Sequence, residues 1–525
     1  MYGSRVTGSA ATAFLRKLFE GLFFGGAYEA FYGFYYGAAR KSGPAVGRAP
    51  ATFSRYTLSF ITLLLVLLLP LPLLETGGAA FTNTASAYAT AASAPAAAAV
   101  NSHGQVQRQV VLVCLDKVTL EDLLAYGGPV LTSVLEKSGA ALMNVNTAGL
   151  PGTEGGYLTI GSGARVQGNW TARVAYNREE RKQGFTGEVL YGRYTGKEEV
   201  PPGEVLHLYA ANLQELNEGR RYPLSIGALS EALQLSGRAA AVIGNADTDS
   251  EGRQAVTIAM DRDGIVLYGN VTSSLLRENG RFPFGRSCDA GAYVRAFEDY
   301  SSRASFIVVD WGDTARINAY LSQLPAGRRG ELLRETLQEL DRFLEEIIPR
   351  LAEQSKLFLL APSPPPEPYA GGQRLAPLVI YDPASPLGGK LVSSTTRRQG
   401  IVANIDIAPT VIDYLDLAPP VFLWGASLEN IPSGDHLEEL AALSESTARI
   451  YTQRPSIVRG YILAQIILIA AAMAGLLFRF KPARRLFPYL YGLLFLPLAA
   501  LVAPAFFFFP FQSLHANALL ILFLT

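Results

Sequence analysis

Two aspartates end apolar runs of strand length: Asp116 after Val111-Leu-Val-Cys-Leu115, and Asp310 after Ser305-Phe-Ile-Val-Val309. Parallel α/β sheets hold their ligands beyond the carboxyl ends of such strands, so carboxylates at these points are placed for chemistry. A strand-end Asp also serves as a turn former or helix cap, and Asp116 precedes the helical stretch Val118-Thr-Leu-Glu-Asp-Leu-Leu124, which keeps capping open as the plainer reading. Thr153 follows Asp116 by 37 residues, within the Gly/Pro-rich Leu150-Pro-Gly-Thr-Glu-Gly-Gly156. A hydroxyl presented there at a helix N-terminus can act as a nucleophile whose developing anion faces backbone N–H groups. A plain N-cap is the alternative. Asp313, three residues beyond Asp310, adds a further carboxylate. The neighbouring Gly161-Ser-Gly-Ala-Arg165 has neither the glycine spacing nor the Lys of a nucleotide-binding loop.

These residues need a sheet to bring them together. Further buried-strand runs occur at Ala239-Ala-Ala-Val-Ile243, Lys356-Leu-Phe-Leu-Leu360 and Leu378-Val-Ile380. Amphipathic patterns alternate with them, most clearly from Glu331 to Leu351, with Leu333, Leu337, Leu340, Leu344, Ile347 and Leu351 at helical spacing. The alternation predicts an α/β domain over residues 109–435 with a mostly parallel sheet sandwiched by helices.

Forty-five Lys and Arg balance 45 Asp and Glu, which argues against a nucleic-acid partner. Two cysteines, Cys114 and Cys288, exclude a disulfide-dense scaffold and any Cys-rich metal cluster. Of the four histidines only His207 falls inside the predicted fold, in an apolar run that reads as packed core. The loop Asp247-Thr-Asp-Ser-Glu-Gly252 lacks the twelfth-position Glu of a calcium loop and reads as a solvated turn.

Charge is unevenly spread. Leu58 to Leu74 is free of it, and Tyr461 to Thr525 contains no Asp or Glu. Basic residues upstream of Leu58 place residues 1–56 in the cytoplasm. Residues 57–75 are then a membrane anchor or a signal sequence, with Ala85-Ser-Ala87 a fitting cleavage site. Residues 76–108 read as an Ala/Ser/Thr-rich tether and 436–456 as an exit linker. Residues 457–525 read as a membrane region of two full spans and a truncated third, with Arg479, Lys481, Arg484 and Arg485 in a cytoplasmic loop. The expected location is therefore a multi-pass membrane protein with its large domain outside the cytoplasm.

The order Asp116, Thr153, Tyr157, Thr159, Ser162, Gly163 resembles the N-terminal half-site of the alkaline phosphatase superfamily, especially its phosphodiesterase, phosphoglyceromutase and sulfatase branches. Ile401-Val-Ala-Asn-Ile-Asp-Ile-Ala-Pro-Thr-Val-Ile-Asp-Tyr-Leu415, followed by Trp424-Gly-Ala-Ser-Leu428, is similar to the family's closing element. The resemblance implies Thr153 as catalytic nucleophile, Asp116, Asp310 and Asp313 as metal ligands, and Arg397 and Arg398 as substrate-binding cations.

It also shows what is missing. The family's ligand-bearing segments after the third and fourth strands are here Asp310-Trp-Gly-Asp313 and Ala361-Pro-Ser-Pro-Pro-Pro366, and neither contains histidine. The remaining oxygen donors suit at most one hard cation, Mg²⁺, Mn²⁺ or Ca²⁺, and not a two-zinc centre. Two functions stay open: a degenerate, non-catalytic binding or scaffold module of the cell envelope, or a metal-dependent hydrolase or transferase of phosphate, sulfate or phosphoglycerol esters. The expected partners are the lipid bilayer and either envelope polymers or membrane proteins.

Overall fold

The computed structural model describes residues 108–150, 152–325, 327–352, 354–420 and 422–477. The expected N-terminal anchor, the tether up to residue 107 and the expected spans beyond residue 477 lie outside them.

The core of the described chain is a ten-stranded mixed sheet. Its strands are β1 (Gln109–Cys114), β2 (Gly139–Asn144), β3 (Ala240–Gly244), β4 (Tyr268–Asn270), β5 (Phe306–Asp310), β6 (Ser355–Leu360), β7 (Leu375–Tyr381), β8 (Gly389–Val392), β9 (Ile401–Ala403) and β10 (Glu429–Pro432). The spatial order is β10-β8-β2-β7-β6-β1-β5-β3-β4, with β9 also on β2. β1 is central and parallel to both β5 and β6, and β5 is parallel to β3. Val110 to Cys114 are completely buried. Alternate strand residues face opposite sides, so both faces of β1 are covered, as the unbroken apolar run predicts.

The segment Leu378–Ile380 departs from the parallel expectation: β7 runs antiparallel to both β6 and β2. The cause lies in its connection to β6. Between Leu360 and Leu375 the only helix is Pro366–Ala370. At ~1.5 Å per residue it cannot recross a sheet about 20 Å deep, so the chain turns back at the same edge.

The amphipathic stretch forms α5 (Arg328–Ile347), shorter than its leucine pattern suggests because Pro349 turns the end into a 3₁₀ turn, Ile348–Arg350. The other helices relevant below are α1 (Leu120–Tyr126), α2 (Thr153–Ser162), α3 (Ala290–Ser301), α4 (Asp313–Ala319), α6 (Ile407–Tyr414) and α7 (His436–Leu477). α7 absorbs the expected exit linker: residues 436–456 are helical, with Pro455 inside. His436–Ala474 of this helix is long and apolar enough to cross a membrane, and its most apolar stretch is unburied by the rest of the protein.

Candidate functional site

α2 is buried over almost its whole length, which a helix of mixed polarity achieves here through its glycines. A Cβ at Gly156 would lie 2.4 Å from the Pro362 carbonyl oxygen, and one at Gly161 would lie 2.7 Å from the Thr257 carbonyl oxygen. Close backbone approach thus draws the first turn of α2 against the segment that follows β6. Gly152 is the N-cap and Thr153 the first helical residue. The Thr153 hydroxyl does not cap the helix; it donates to Asp116 Oδ2 at 3.3 Å and lies 3.1 Å from the Ser363 hydroxyl.

Asp116 is not a cap either. Thr119 caps α1, in a reciprocal pair with Asp122. Asp116 Oδ1 accepts two bonds from one residue, the backbone N–H of Ser363 at 3.0 Å and its hydroxyl at 2.6 Å. Asp116, Thr153 and Ser363 therefore form a closed triangle. Burial raises the Asp116 carboxyl above its ordinary value, against the opposing pull of the Lys117 charge and the bonds from Ser363 and Thr153. Lys117 is held at φ +65, in the left-handed region.

Asp310 ends β5 directly opposite Cys114 in register. Its Oδ1 accepts from the Tyr157 hydroxyl at 3.0 Å, one turn along α2 from Thr153. Its Oδ2 is buried without a hydrogen-bond partner. Burial pushes the Asp310 carboxyl up to about 7; the Tyr157 bond opposes the shift and the nearby Asp116 charge adds to it. Burial also drives the Tyr157 phenol well above its usual range, so Tyr157 acts only as a neutral donor. The three residues picked from the sequence as the core of a site are thus joined through α2.

Asp313 stands apart from them. It opens α4, forms a buried ion pair with Arg316 at 2.8 Å, and accepts from the Thr336 hydroxyl at 3.0 Å and the Cys288 backbone N–H at 3.0 Å. Its oxygens tie α4 to α5 and to the start of α3, which places it in a structural ion pair rather than among the expected metal ligands. Arg397 and Arg398 occupy an exposed turn, Arg397 at φ +55. Neither lines the cleft beside Asp116; its cations are Lys117 and Arg173.

That cleft has a volume of ≈ 210 Å³, and Thr153, Thr248, Ser250, Gln254 and Asn318 contribute polar side chains to it. The Gln254 and Asn318 side-chain oxygens are buried without partners. The 247–252 loop forms one wall and is anchored rather than freely solvated: Asp247 pairs with the buried Arg253 at 2.9 Å and accepts from Gly252 N–H at 2.8 Å. His207 is fully buried, and burial lowers its imidazole to about 4. In the closing element, Asp406 accepts from Ala403 N–H, Ala426 N–H and the Thr395 hydroxyl, and so acts as a structural lock.

Sequence reasoning did not count Ser363 among the site residues. Its signal was present: it is the only hydroxyl in Ala361-Pro-Ser-Pro-Pro-Pro366, directly after a buried strand.

A two-metal centre does not fit these residues. Three protein donors already occupy the Asp116 oxygens, and Asp313 is consumed by Arg316 and Thr336. Among the described residues no three His, Cys, Asp or Glu side chains are grouped as metal ligands. Asp310 Oδ2 is the one carboxylate oxygen of the Asp116–Asp310 pair left without a partner.

No protein-family model matches the chain, and no curated protein matches it. Among solved structures, the PH0037 protein from Pyrococcus horikoshii is similar at 12% identity and a TM-score of 0.34, over 60% of this chain and 98% of that one. Alkaline phosphatase from the Antarctic bacterium TAB5 is similar at 9% identity and a TM-score of 0.33, over 59% of this chain and 98% of that one. At such identities no residue's role passes from them to this chain. A third, the lipoteichoic acid synthase LtaP from Listeria monocytogenes, is similar at 10% identity and a TM-score of 0.33, over 67% of this chain and 96% of that one.

Proposed function

We propose that the chain is a membrane-tethered, alkaline-phosphatase-like domain whose reaction centre has become a metal-free binding or scaffold module of the cell envelope. One observation carries this reading: the Ser363 N–H and hydroxyl both occupy Asp116 Oδ1 while Thr153 occupies Oδ2. A carboxylate satisfied by fixed protein donors gives up those bonds when it binds a cation.

The alternative is a hydrolase or transferase of phosphate or sulfate esters that uses one Mg²⁺, Mn²⁺ or Ca²⁺. The unpartnered Asp310 Oδ2 and the position of Thr153 at the start of α2 favour it. One experiment decides between the two readings. The purified chain is assayed for metal content and for turnover of aryl phosphate mono- and diesters with each cation added. The module reading expects no bound metal and no turnover. Turnover abolished by both a chelator and Thr153→Ala would overturn it.

The tether is α7, and the large domain lies outside the cytoplasm on the charge asymmetry described above. A reporter fused after Arg449 is expected to be exported and one at Lys481 cytoplasmic. The reverse pattern would overturn that orientation. The partners this reading calls for are the bilayer and an envelope polymer or membrane protein.

A further inference from the structure

We infer that the carboxyl edge of the sheet, with the cleft at Asp116 and Thr153, faces the bilayer surface, so that whatever enters the cleft is presented by the membrane. The inference rests on the reading of α7 as a membrane-crossing helix; the direction of α7 supplies the rest.

α7 begins at the amino edge of the sheet. His436 Nε2 lies 3.2 Å from the Leu135 carbonyl oxygen, just before β2, and the His436 ring stands against Gly388, just before β8. Leu440 and Leu443 then face Gly400, level with the middle of β2 because Ile401 pairs with Leu142. Ala448 and Tyr451 reach Gly372, and the Arg374 guanidinium lies 4.5 Å from the Tyr451 ring centroid. Arg374 adjoins Leu375, which pairs with Asn144 at the far end of β2. The residues from His436 to Ala448 climb about 18 Å at ~1.5 Å each, close to the length of β2 at ~3.3 Å per residue. α7 therefore runs alongside β2 and leaves the domain at its carboxyl edge.

β2 points the same way as β6, since β7 is antiparallel to both, and β1, β5 and β3 share that direction. The cleft is lined from the segments that follow these strands: Asp116 and Lys117 after β1, Ala246 to Gln254 after β3, Ala315 to Ala319 after β5, and Pro366 after β6. Site and exit thus share one edge. The charge-free run of α7 begins at Tyr461, ten residues and about 15 Å of helix beyond Tyr451. Three strand spacings separate β2 from β1, so the cleft is also only about 15 Å to the side of the exit.

The surface at this edge suits the position. Arg454 and Arg459 are exposed on α7 between the domain and the apolar run, at the level of lipid phosphates. Leu150, in the segment after β2, is 92% exposed and Trp170 is 61% exposed. Trp170 belongs to the turn whose Arg173 pairs with Glu154 at the start of α2. Tryptophan at such a level is the residue membrane interfaces favour.

The test uses the full chain in lipid nanodiscs with one added cysteine at a time: Ser250→Cys at the cleft rim, Ser385→Cys at the opposite edge, and Leu463→Cys in the apolar run. Ser250 and Ser385 are exposed, as is Leu463, while the native Cys114 and Cys288 are fully buried and stay unlabelled. A fluorophore is attached and quenched by lipids carrying a nitroxide on the headgroup or on the acyl chain. The expected result is loss of most fluorescence at Ser250 with the headgroup quencher, none at Ser385, and loss at Leu463 with the acyl-chain quencher. Quenching at Leu463 with Ser250 unquenched, or quenched no more than Ser385, overturns the inference and leaves the tether standing. An unquenched Leu463 overturns the tether itself, and the inference with it.

Discussion

The Ser363 hydroxyl lies 2.6 Å from Asp116 Oδ1, and the backbone N–H of the same residue lies 3.0 Å from the same oxygen. The segment after β6 and the end of β1 are thereby fastened by two donors onto one acceptor, where a single loop residue supplies what two separate groups otherwise would. Pro362 and Pro364 on either side of Ser363 fix their own φ and hold Ser363 in place.

Ser363→Ala removes the hydroxyl and leaves the N–H. A hydrogen bond to a buried carboxylate is worth about 1.5–3 kcal/mol, so urea denaturation at neutral pH should show a loss of that order. A change well under half a kcal/mol would mean that the carboxyl is protonated or that water replaces the hydroxyl.

Asp310 gives a pH signature. Its folded value of about 7 lies above the ordinary carboxyl value of 3.8. Between those values the folded state binds the extra proton, so the stabilisation is complete below pH 4 and is lost as pH rises through 7. Asp310→Asn should abolish this slope, which is at most about 1.4 kcal/mol per pH unit for one group. The variant should therefore gain on the wild type in denaturant midpoint from pH 5 to pH 8. A parallel profile for the two proteins would show that Asp310 ionises normally.

The pair Asp313–Arg316 is fully buried, at 1% and 0% side-chain exposure. Removing one member leaves the other charge stranded, a cost of about 3–5 kcal/mol. Asp313→Ala and Arg316→Met should each lower the melting temperature strongly, and the double variant should recover part of the loss. Additive losses in the double-mutant cycle would contradict the pairing.

Gly156→Ala tests how α2 is seated. The new methyl would meet the Pro362 backbone at 2.4 Å, and overpacking of this kind costs about 1–3 kcal/mol. Because Pro362 precedes Ser363, the shift should also loosen the triangle, seen as faster amide exchange at Ser363. Unchanged stability and exchange would show that the helix can slide without cost.

The strands that carry the site were legible because each is an apolar run of strand length, and burial on both faces leaves a strand no other composition. Asp116, Asp310 and Thr153 stood out for the same reason: each interrupts an apolar or glycine-rich context at a predicted element boundary. The long helices were legible from leucine spacing, except where Pro349 shortened α5 and where a continuous α7 replaced an expected linker. Local pattern carried no information about partners distant in sequence. Ser363 meets Asp116 across 247 residues, and Asp313 is drawn to Thr336 of α5 although it lies only three positions beyond Asp310. The antiparallel turn of β7 and the exit of α7 at the carboxyl edge likewise depend on which strand lies beside which. Composition and periodicity determine which segments are buried and in what local conformation, because solvation acts residue by residue. Which donors reach a buried carboxylate depends on three-dimensional distance, and only the packed chain sets that.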